Sequence, residues 1–196
     1  MRRHWLLLAA LLSVNPLLNG CVPVVLIGGA AATTASVVHD RRTAGSIVED
    51  QAIELRIKTA LNKDDEIANQ VHINVTSYNG IVLLSGEAPN QALSSRAAGI
   101  ARDDRQVRRV HNELKIAAPS SAMTRSSDSW ITTKVKSSLI GIDIKGFDPS
   151  RIKVVTENGT VYLMGMVYHR EADAVVARTQ QVQGVQRIVK LFEYLD

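Results

Sequence analysis

The sequence predicts an α+β fold in which a unit of two helices and three strands occurs twice, behind an N-terminal secretion signal. Three observations support this prediction. A helical apolar stripe occurs twice, an Asn-Gly pair between alternating apolar runs also occurs twice, and a short charged and apolar segment begins the chain. The predicted order in each repeat is α-β-β-α-β, with a three-stranded mixed sheet packed on two helices.

The N-terminal segment has the order of a secretion signal. Arg2 and Arg3 supply positive charge, an apolar run follows over residues 5–14, and Gly20 precedes Cys21. The run is shorter than the roughly 20 apolar residues that a bilayer span needs. The alternative is a short membrane anchor with a buried free thiol. The order of charge, apolar run, glycine and cysteine favours a cleaved signal over residues 1–20.

Leu18-Asn19-Gly20-Cys21 resembles the lipobox of bacterial lipoproteins. This resemblance implies cleavage before Cys21, a thioether-linked lipid on its sulfur and acylation of the new N-terminus. Two or more acyl chains together give stable anchoring. An Asp after the cysteine would favour the inner membrane in such lipoproteins, and Val22 stands there. The resemblance therefore implies a lipid-anchored protein of the outer membrane that faces the periplasm.

Removal of the signal changes the charge of the chain. Arg2 and Arg3 leave with it, so the 176 remaining residues carry 21 basic and 19 acidic groups, a net charge of +2 rather than +4. No basic stripe of the kind that nucleic-acid-binding proteins use remains. Nucleic acid is therefore not an expected partner.

Composition predicts how the chain is divided. Residues 22–38 are uncharged and rich in Val, Ala, Gly and Thr, which favours a flexible or membrane-apposed tether over a spanning helix. A stretch with Pro, Ser and Ala separates the two repeats. The predicted division is a signal peptide over 1–20, a lipidated tether over 21–49, a first repeat over 50–118, a linker over 119–127 and a second repeat over 128–196.

Each repeat begins with an amphipathic helix. Residues 50–61 align with residues 128–139, and an apolar residue recurs at every fourth position in both segments. The two stripes are Ile53, Ile57 and Leu61, and Ile131, Val135 and Leu139. Asp50 and Asp128 stand at the start of the aligned segments, which predicts that the helices begin there.

A β-hairpin follows each helix. Asn79-Gly80 and Asn158-Gly159 lie between alternating apolar runs, and both residue types accept the positive φ of a type I′ turn. A two-residue loop puts alternate residues of the two strands on one face. These residues are Ile73, Val75, Val82 and Leu84 in the first repeat, and Ile152, Val154, Val161 and Leu163 in the second.

Each hairpin is followed by a second helix and a third strand. The helices are predicted at about residues 91–104 and 169–183, and the strands over residues 107–116 and 185–192. A helical crossover between the second and third strands predicts that the third strand lies parallel to its neighbour.

The two repeats resemble BON domains, and the mature chain resembles the dual-BON outer-membrane lipoproteins. The resemblance rests on the lipobox, on Asp40-Arg41-Arg42, on residues 130–136 (WITTKVK), on residues 154–159 (VVTENG) and on residues 163–165 (LMG). It implies periplasmic domains that bind phospholipid and support the outer membrane, at the division site in some members. Gln106 departs from the Gly that is common before the last strand of such repeats, where the second repeat has Gly184.

The residue inventory does not favour an enzyme. Cys21 is used for lipidation, and the chain has no nucleophile elbow, phosphate-binding loop or zinc-protease helix. The acidic residues 64–66 and 103–104 lack calcium-loop spacing and are interpreted as solvated turns. The histidines that remain after cleavage lie far apart in sequence: His39, His72, His111 and His169. We therefore expect no catalytic residues, no metal site and no cofactor.

Trp130 lies off the buried stripe of its helix. At 100° per residue it shares a face with Thr133 and Ser137, and its counterpart in the first repeat is Ala52. Tryptophan prefers the membrane interface, because its ring is apolar while its N–H still finds a partner. The alternative is that Trp130 packs against the first domain or the linker.

Lysines next to Trp130 would attract anionic lipid, by about 1 kcal/mol each near a charged surface. With the family resemblance, this predicts an anionic phospholipid membrane as the partner. The candidate phospholipid-binding residues are Trp130, Thr133, Lys134, Lys136 and Ser137. The competing hypothesis is a non-catalytic scaffold that binds other envelope proteins, with Trp130 as a protein-binding hot spot.

The outer face of the second hairpin is also apolar. It carries Val155, Tyr162 and Met164, whereas the matching face of the first repeat has Thr76, Leu83 and Ser85. Apolar surface of this kind usually marks an interface, and the two domains could dock through it.

Overall fold

The computed structural model describes residues 40–196, and all of them belong to one compact unit. The predicted signal peptide, the predicted lipidation at Cys21 and the predicted tether as far as residue 39 lie outside the described residues. Within residues 40–196, no helix is long and apolar enough to cross a membrane.

Both repeats have the predicted α-β-β-α-β order, each with a short additional helical turn before the hairpin. The first repeat consists of α1 (Ala44–Asn62), α2 (Asp65–Gln70), β1 (His72–Tyr78), β2 (Ile81–Ala88), α3 (Gln91–Arg102), β3 (Arg109–Asn112) and β4 (Lys115–Ile116). The second consists of α4 (Ala122–Leu139), a 3-10 turn (Pro149–Arg151), β5 (Lys153–Glu157), β6 (Thr160–Val167), α5 (His169–Gln180) and β7 (Arg187–Tyr194).

The hairpin predictions are confirmed. The strands β1 and β2 pair antiparallel with Tyr78 opposite Ile81, and β5 and β6 pair antiparallel with Glu157 opposite Thr160. Both residues of each turn have positive φ, as a type I′ turn requires. The angles are 52° and 73° at Asn79 and Gly80, and 49° and 68° at Asn158 and Gly159.

The third strand of each sheet is parallel to the second, as predicted. In the first repeat, however, the strand predicted over residues 107–116 is divided into β3 and β4. The two pieces keep one register, because Ile81 pairs with Arg109 and Glu87 with Lys115. The interruption is local, since the N–H of Leu114 bonds to the Asn112 side chain at 3.3 Å.

The first helix of each repeat begins before the predicted residue. Thr43 caps α1 and Ser121 caps α4, so residues 44–49 of the predicted tether and 122–127 of the predicted linker are helical. Asp50 and Asp128 therefore do not start their helices, and that prediction was wrong. Both lie in interior turns of their helices, and their side chains are buried against the hairpins.

Each buried aspartate accepts the two backbone N–H groups of its own hairpin turn. Asp50 accepts from Asn79 at 2.7 Å and from Gly80 at 2.9 Å. Asp128 accepts from Asn158 and Gly159 at 2.8 and 2.9 Å. A carboxylate that accepts backbone N–H groups makes strong, charge-assisted hydrogen bonds. The aspartate thus fastens the first helix to the hairpin.

Each repeat has its own core between helices and sheet. The predicted helical stripes and hairpin faces lie in these cores. A third cluster joins the opposite faces of the two sheets and consists of Tyr78, Ile81, Leu83, Tyr162, Met164 and Leu191, with Val155 at its edge. The apolar hairpin face is therefore the contact between the domains. Because the sheets meet face to face, the helices lie on the outside.

Candidate functional site

The helix α4 presents an apolar line to solvent. Its buried side carries the stripe that begins at Ile131, whereas Trp130 is 63% exposed. Met123 lies seven residues before Trp130, on the same side of the helix, and Ile140 follows the helix end; both are exposed. This exposure contradicts the alternative in which Trp130 packs against the first domain or the linker.

The other predicted lipid-binding residues also lie on α4, but they are not equivalent. Thr133, Lys136 and Ser137 are exposed. The Thr133 hydroxyl donates to the carbonyl of Ser129 at 3.0 Å. Lys134 is half-buried, and its Nζ donates to the backbone carbonyl of Gln183. Of the two lysines predicted to bind lipid, Lys134 therefore already makes a hydrogen bond within the protein, and Lys136 is the exposed one.

Sequence reasoning missed Met123 and Ile140, because both lie outside the aligned segment 128–139. The spacing of seven residues between Met123 and Trp130 is the signal that could have found the first of them. Ile140 caps the C-terminus of α4, where the helical pattern ends.

The exposed charges of α4 are positive. Arg125 and Lys136 are exposed, and Lys134 is half-buried. The one carboxylate within α4, that of Asp128, is buried and bonded to the hairpin turn. An approaching anionic surface would therefore meet cations and apolar side chains on this helix, with no exposed carboxylate of the helix against it.

The corresponding helix α1 also exposes apolar residues, which sequence reasoning missed. Val48 is exposed and Leu55 is 67% exposed, on the side where Ala52 replaces tryptophan. The charges differ from those of α4. Arg56, the counterpart of Lys134, forms ion pairs with Asp104 at 2.6 Å and Glu49 at 2.8 Å.

These ion pairs neutralise the main cation of α1. The hydrogen bonds to Asp104 and Glu49 raise the pKa of Arg56, so the guanidinium stays charged but is balanced locally. Glu54 adds a further partly exposed carboxylate, which pairs with Lys153 at 2.8 Å. The surface of α1 is therefore apolar but not basic.

Two arginines bind the start of the described chain to both repeats. Arg41 forms a bidentate ion pair with Glu171, at 2.6 and 2.8 Å. Arg42 pairs with Asp50 at 2.8 Å and lies over the ring of Tyr78, 3.8 Å from its centroid. The start of the described chain is thus held at both domains.

A doubled α-β-β-α-β unit with parallel third strands and an N-terminal lipobox defines a tandem BON-domain lipoprotein. The BON-domain family model matches residues 49–118 and 127–196, and the chain belongs to this family. Recognition of the family and of the fold class from the sequence is thereby confirmed.

The relatives define the protein further. It is 39% identical over 191 residues, 96% of each chain, to the outer membrane lipoprotein DolP of Haemophilus influenzae. It is 36% identical over 158 residues, 80% of each chain, to the 21 kDa hemolysin of Actinobacillus pleuropneumoniae. Osmotically-inducible protein Y of Escherichia coli is 30% identical over 148 residues, covering 74% of this chain and 72% of the relative. The chain is thus an outer-membrane BON lipoprotein, and none of these three names describes an enzyme.

Proposed function

We propose that this protein is a lipid-anchored, periplasm-facing and non-catalytic module that binds anionic phospholipid through α4 and so supports the integrity of the outer membrane. In this proposal the lipid on Cys21 holds the chain at one membrane surface. The second BON domain supplies the phospholipid contact. The family resemblance adds the division site as a place where the protein acts.

The observation that carries the proposal is the exposed pair Met123 and Trp130 on one side of a helix without exposed carboxylates, with exposed Ile140 just past the helix end. A helix of this kind lies in the membrane interface with its apolar side chains in the headgroup and acyl boundary. Tryptophan is enriched at that depth. Lys136 and Arg125 add attraction to anionic lipid, of about 1 kcal/mol each near the surface.

Trp130 provides a direct test. The chain has two tryptophans, Trp5 and Trp130, and the first lies in the predicted signal peptide. With excitation that selects tryptophan over tyrosine, the fluorescence of residues 40–196 therefore reports Trp130 alone. We expect a blue shift with vesicles that contain phosphatidylglycerol and none with phosphatidylcholine vesicles. Bromine-labelled acyl chains should quench the emission.

Sedimentation with the same vesicles gives the affinity. Trp130→Ala should lower it about tenfold or more, since burial of a large apolar side chain contributes about 1.5–3 kcal/mol. Leu55→Ser in α1 is the matched control and should leave the affinity unchanged. A folded Trp130→Ala variant that sediments like the parent would exclude a lipid role for α4.

The anchor needs its own test, because Cys21 lies outside the described residues. Cys21→Ala should leave an unlipidated precursor, whereas the parent should carry acyl chains on its first mature residue. Mass spectrometry of the protein from its native host measures this. A mature parent protein without acyl chains would refute the assignment of Cys21.

The scaffold hypothesis remains the second candidate, and α1 is the observation that favours it. Val48 and Leu55 are exposed there next to Glu49, a combination that suits a protein partner better than an anionic membrane. If Trp130→Ala leaves vesicle binding intact while Leu55→Ser abolishes capture of a defined envelope protein, the scaffold is the function.

A further inference from the structure

A histidine and two glutamates from both domains meet beside the domain interface. His72 lies at the start of β1, Glu87 near the end of β2, and Glu157 at the end of β5. One potential ligand atom from each of the three lies within 4.8 Å of the others. Because His72 and Glu87 belong to the first domain and Glu157 to the second, only the packed pair of domains brings them together.

The two carboxylates are buried without a strong cation. Glu87 is 1% exposed and Glu157 is 4% exposed. Among the described residues, no lysine or arginine forms an ion pair with either. Glu87 lies 3.1 Å from His72 Nδ1 and accepts the Ser120 backbone N–H, also at 3.1 Å. Buried charges in proteins are normally paired or coordinate a metal ion. The Asn158 and Asn74 amides each donate one hydrogen bond, at 2.8 Å, to Glu87 and Glu157.

A buried hydroxyl without a partner lies on the same sheet face. Ser85 is fully buried, and its Oγ has no hydrogen-bond partner. It stands two residues before Glu87 on β2 and directly opposite Asn74, whose side chain contacts Glu157. An unpaired buried hydroxyl costs about 1–3 kcal/mol. The position next to the three ligands indicates a site that accepts a further polar atom, such as a metal-bound water.

The site is accessible from solvent. The His72 side chain is 26% exposed. A cavity of about 350 Å³ is lined by His72, Asn74 and Glu157, and also by Asp128 and Arg125. The cavity therefore gives a metal ion a path to His72 and Glu157, and water can complete its coordination.

We propose that His72, Glu87 and Glu157 form a zinc site that joins the two BON domains. Zinc accepts histidine nitrogen together with carboxylate oxygen, at about 2.0–2.2 Å, whereas calcium and magnesium prefer oxygen ligands alone. The ion neutralises the two buried carboxylates and connects β1 and β2 to β5.

The test is calorimetric titration of the whole protein, purified in detergent and stripped with a chelator, with zinc chloride. We expect one equivalent to bind and the unfolding temperature to rise, in a way that EDTA reverses. Magnesium chloride at the same concentration should leave the unfolding temperature unchanged. Absence of saturable zinc binding to the parent protein would overturn the proposal.

Two variants locate the site. Glu157→Gln can keep its contact with Asn74 and removes a buried charge, so we expect it to fold and to lose about tenfold or more in zinc affinity. His169→Asn is the control, because His169 and Asp196 form an exposed pair at 2.8 Å that could bind zinc adventitiously. It should bind zinc like the parent. Parent-like affinity in Glu157→Gln, or loss of binding in His169→Asn, would place the zinc elsewhere and reject the site.

Discussion

The helices α1 and α4 occupy the same position in the two repeats but differ on their exposed sides. Each helix buries one aspartate and three apolar residues that lie four positions apart. Outside, α4 carries Trp130 and cations that form no ion pair with the described residues, whereas α1 carries Leu55 and an arginine balanced by carboxylates. The shared fold constrains only the buried side, because that side must fit the sheet. The exposed side is free to diverge, and there the two repeats differ in charge.

The two buried aspartates show a second difference. Both bind the hairpin turn, but Asp50 also accepts the Ser77 hydroxyl at 2.6 Å and pairs with Arg42. Within residues 40–196, the Asp128 carboxylate accepts hydrogen bonds from the two turn N–H groups only. In the first repeat the helix-to-hairpin link therefore also holds the base of the tether.

The largest expected effect concerns these aspartates. Asp50→Ala should lower the free energy of unfolding by about 3–5 kcal/mol, because it leaves two turn N–H groups unpaired and removes a partner of a partly buried arginine. Asp128→Ala should cost less, about 2–3 kcal/mol, since only the turn loses its acceptor. Urea unfolding of residues 40–196 measures both values. A cost at Asp128 equal to that at Asp50 would show that Arg42 does not contribute.

The next effect tests whether tryptophan alone makes α4 different from α1. In a double variant, Trp130→Ala with Ala52→Trp, the ring moves to the first repeat. We expect vesicle binding to stay about tenfold or more below the parent, because Glu49 and the balanced Arg56 give α1 no attraction to anionic lipid. Sedimentation with phosphatidylglycerol vesicles measures it. Recovery of parental affinity would mean that the neighbouring charges do not matter.

Single charges should have smaller effects that depend on salt. Lys136→Glu should weaken binding to anionic vesicles by about 1–2 kcal/mol at low salt. Lys134→Glu should weaken it less, since Lys134 is bonded to Gln183. Both effects should shrink as ionic strength rises, because the screening length falls to about 8 Å at physiological salt. Arg56→Glu is the matched control in α1, and its binding curve should follow that of the parent at every salt concentration.

The smallest effect is the pH dependence of the contact between Arg41 and Glu171. Burial acts to raise the pKa of Glu171, but hydrogen bonds from Arg41 and from the Tyr168 N–H outweigh it, so the pKa lies below the usual 4.5. The contact therefore stabilises the protein above pH 4.5, and this stabilisation is lost as the pH falls through the lowered pKa.

Comparison of the parent protein with Glu171→Gln isolates the pH-dependent stabilisation that the contact between Arg41 and Glu171 provides. The difference in unfolding free energy between parent and variant should be constant at neutral pH and should shrink below about pH 4.5. Chemical unfolding at a series of pH values gives the curve. A difference that grows as the pH falls would contradict a lowered pKa at Glu171.

Patterns local to the chain predicted most of the fold. The apolar residues at every fourth position predicted which sides of α1 and α4 are buried. The two Asn-Gly pairs predicted both hairpins in the register that the structure has. Local patterns failed at the helix starts. Asp50 and Asp128 are common capping residues, and only the hairpin that packs against each helix shows that they bind a turn instead.

The candidate site was predicted in part. Trp130, Thr133, Lys136 and Ser137 are exposed as expected from their place on the helical wheel. The contact of Lys134 with Gln183 could not be foreseen, because the two residues lie 49 positions apart and meet only through packing. Leu55 is different, because it lies about 200° from Ile53 on the helical wheel and its exposure could have been predicted.

By itself the sequence determined the order of the main helices and strands, the repeat, the family and the buried sides of the first helices, because backbone periodicity and turn chemistry act over a few residues. Tertiary structure decided which of the remaining surfaces meet. It buried Tyr162 and Met164 against Leu83 of the other repeat, and it brought His72 and Glu87 to Glu157. Such contacts join residues far apart in the chain. They depend on how two sheets pack face to face, and no local pattern encodes that geometry.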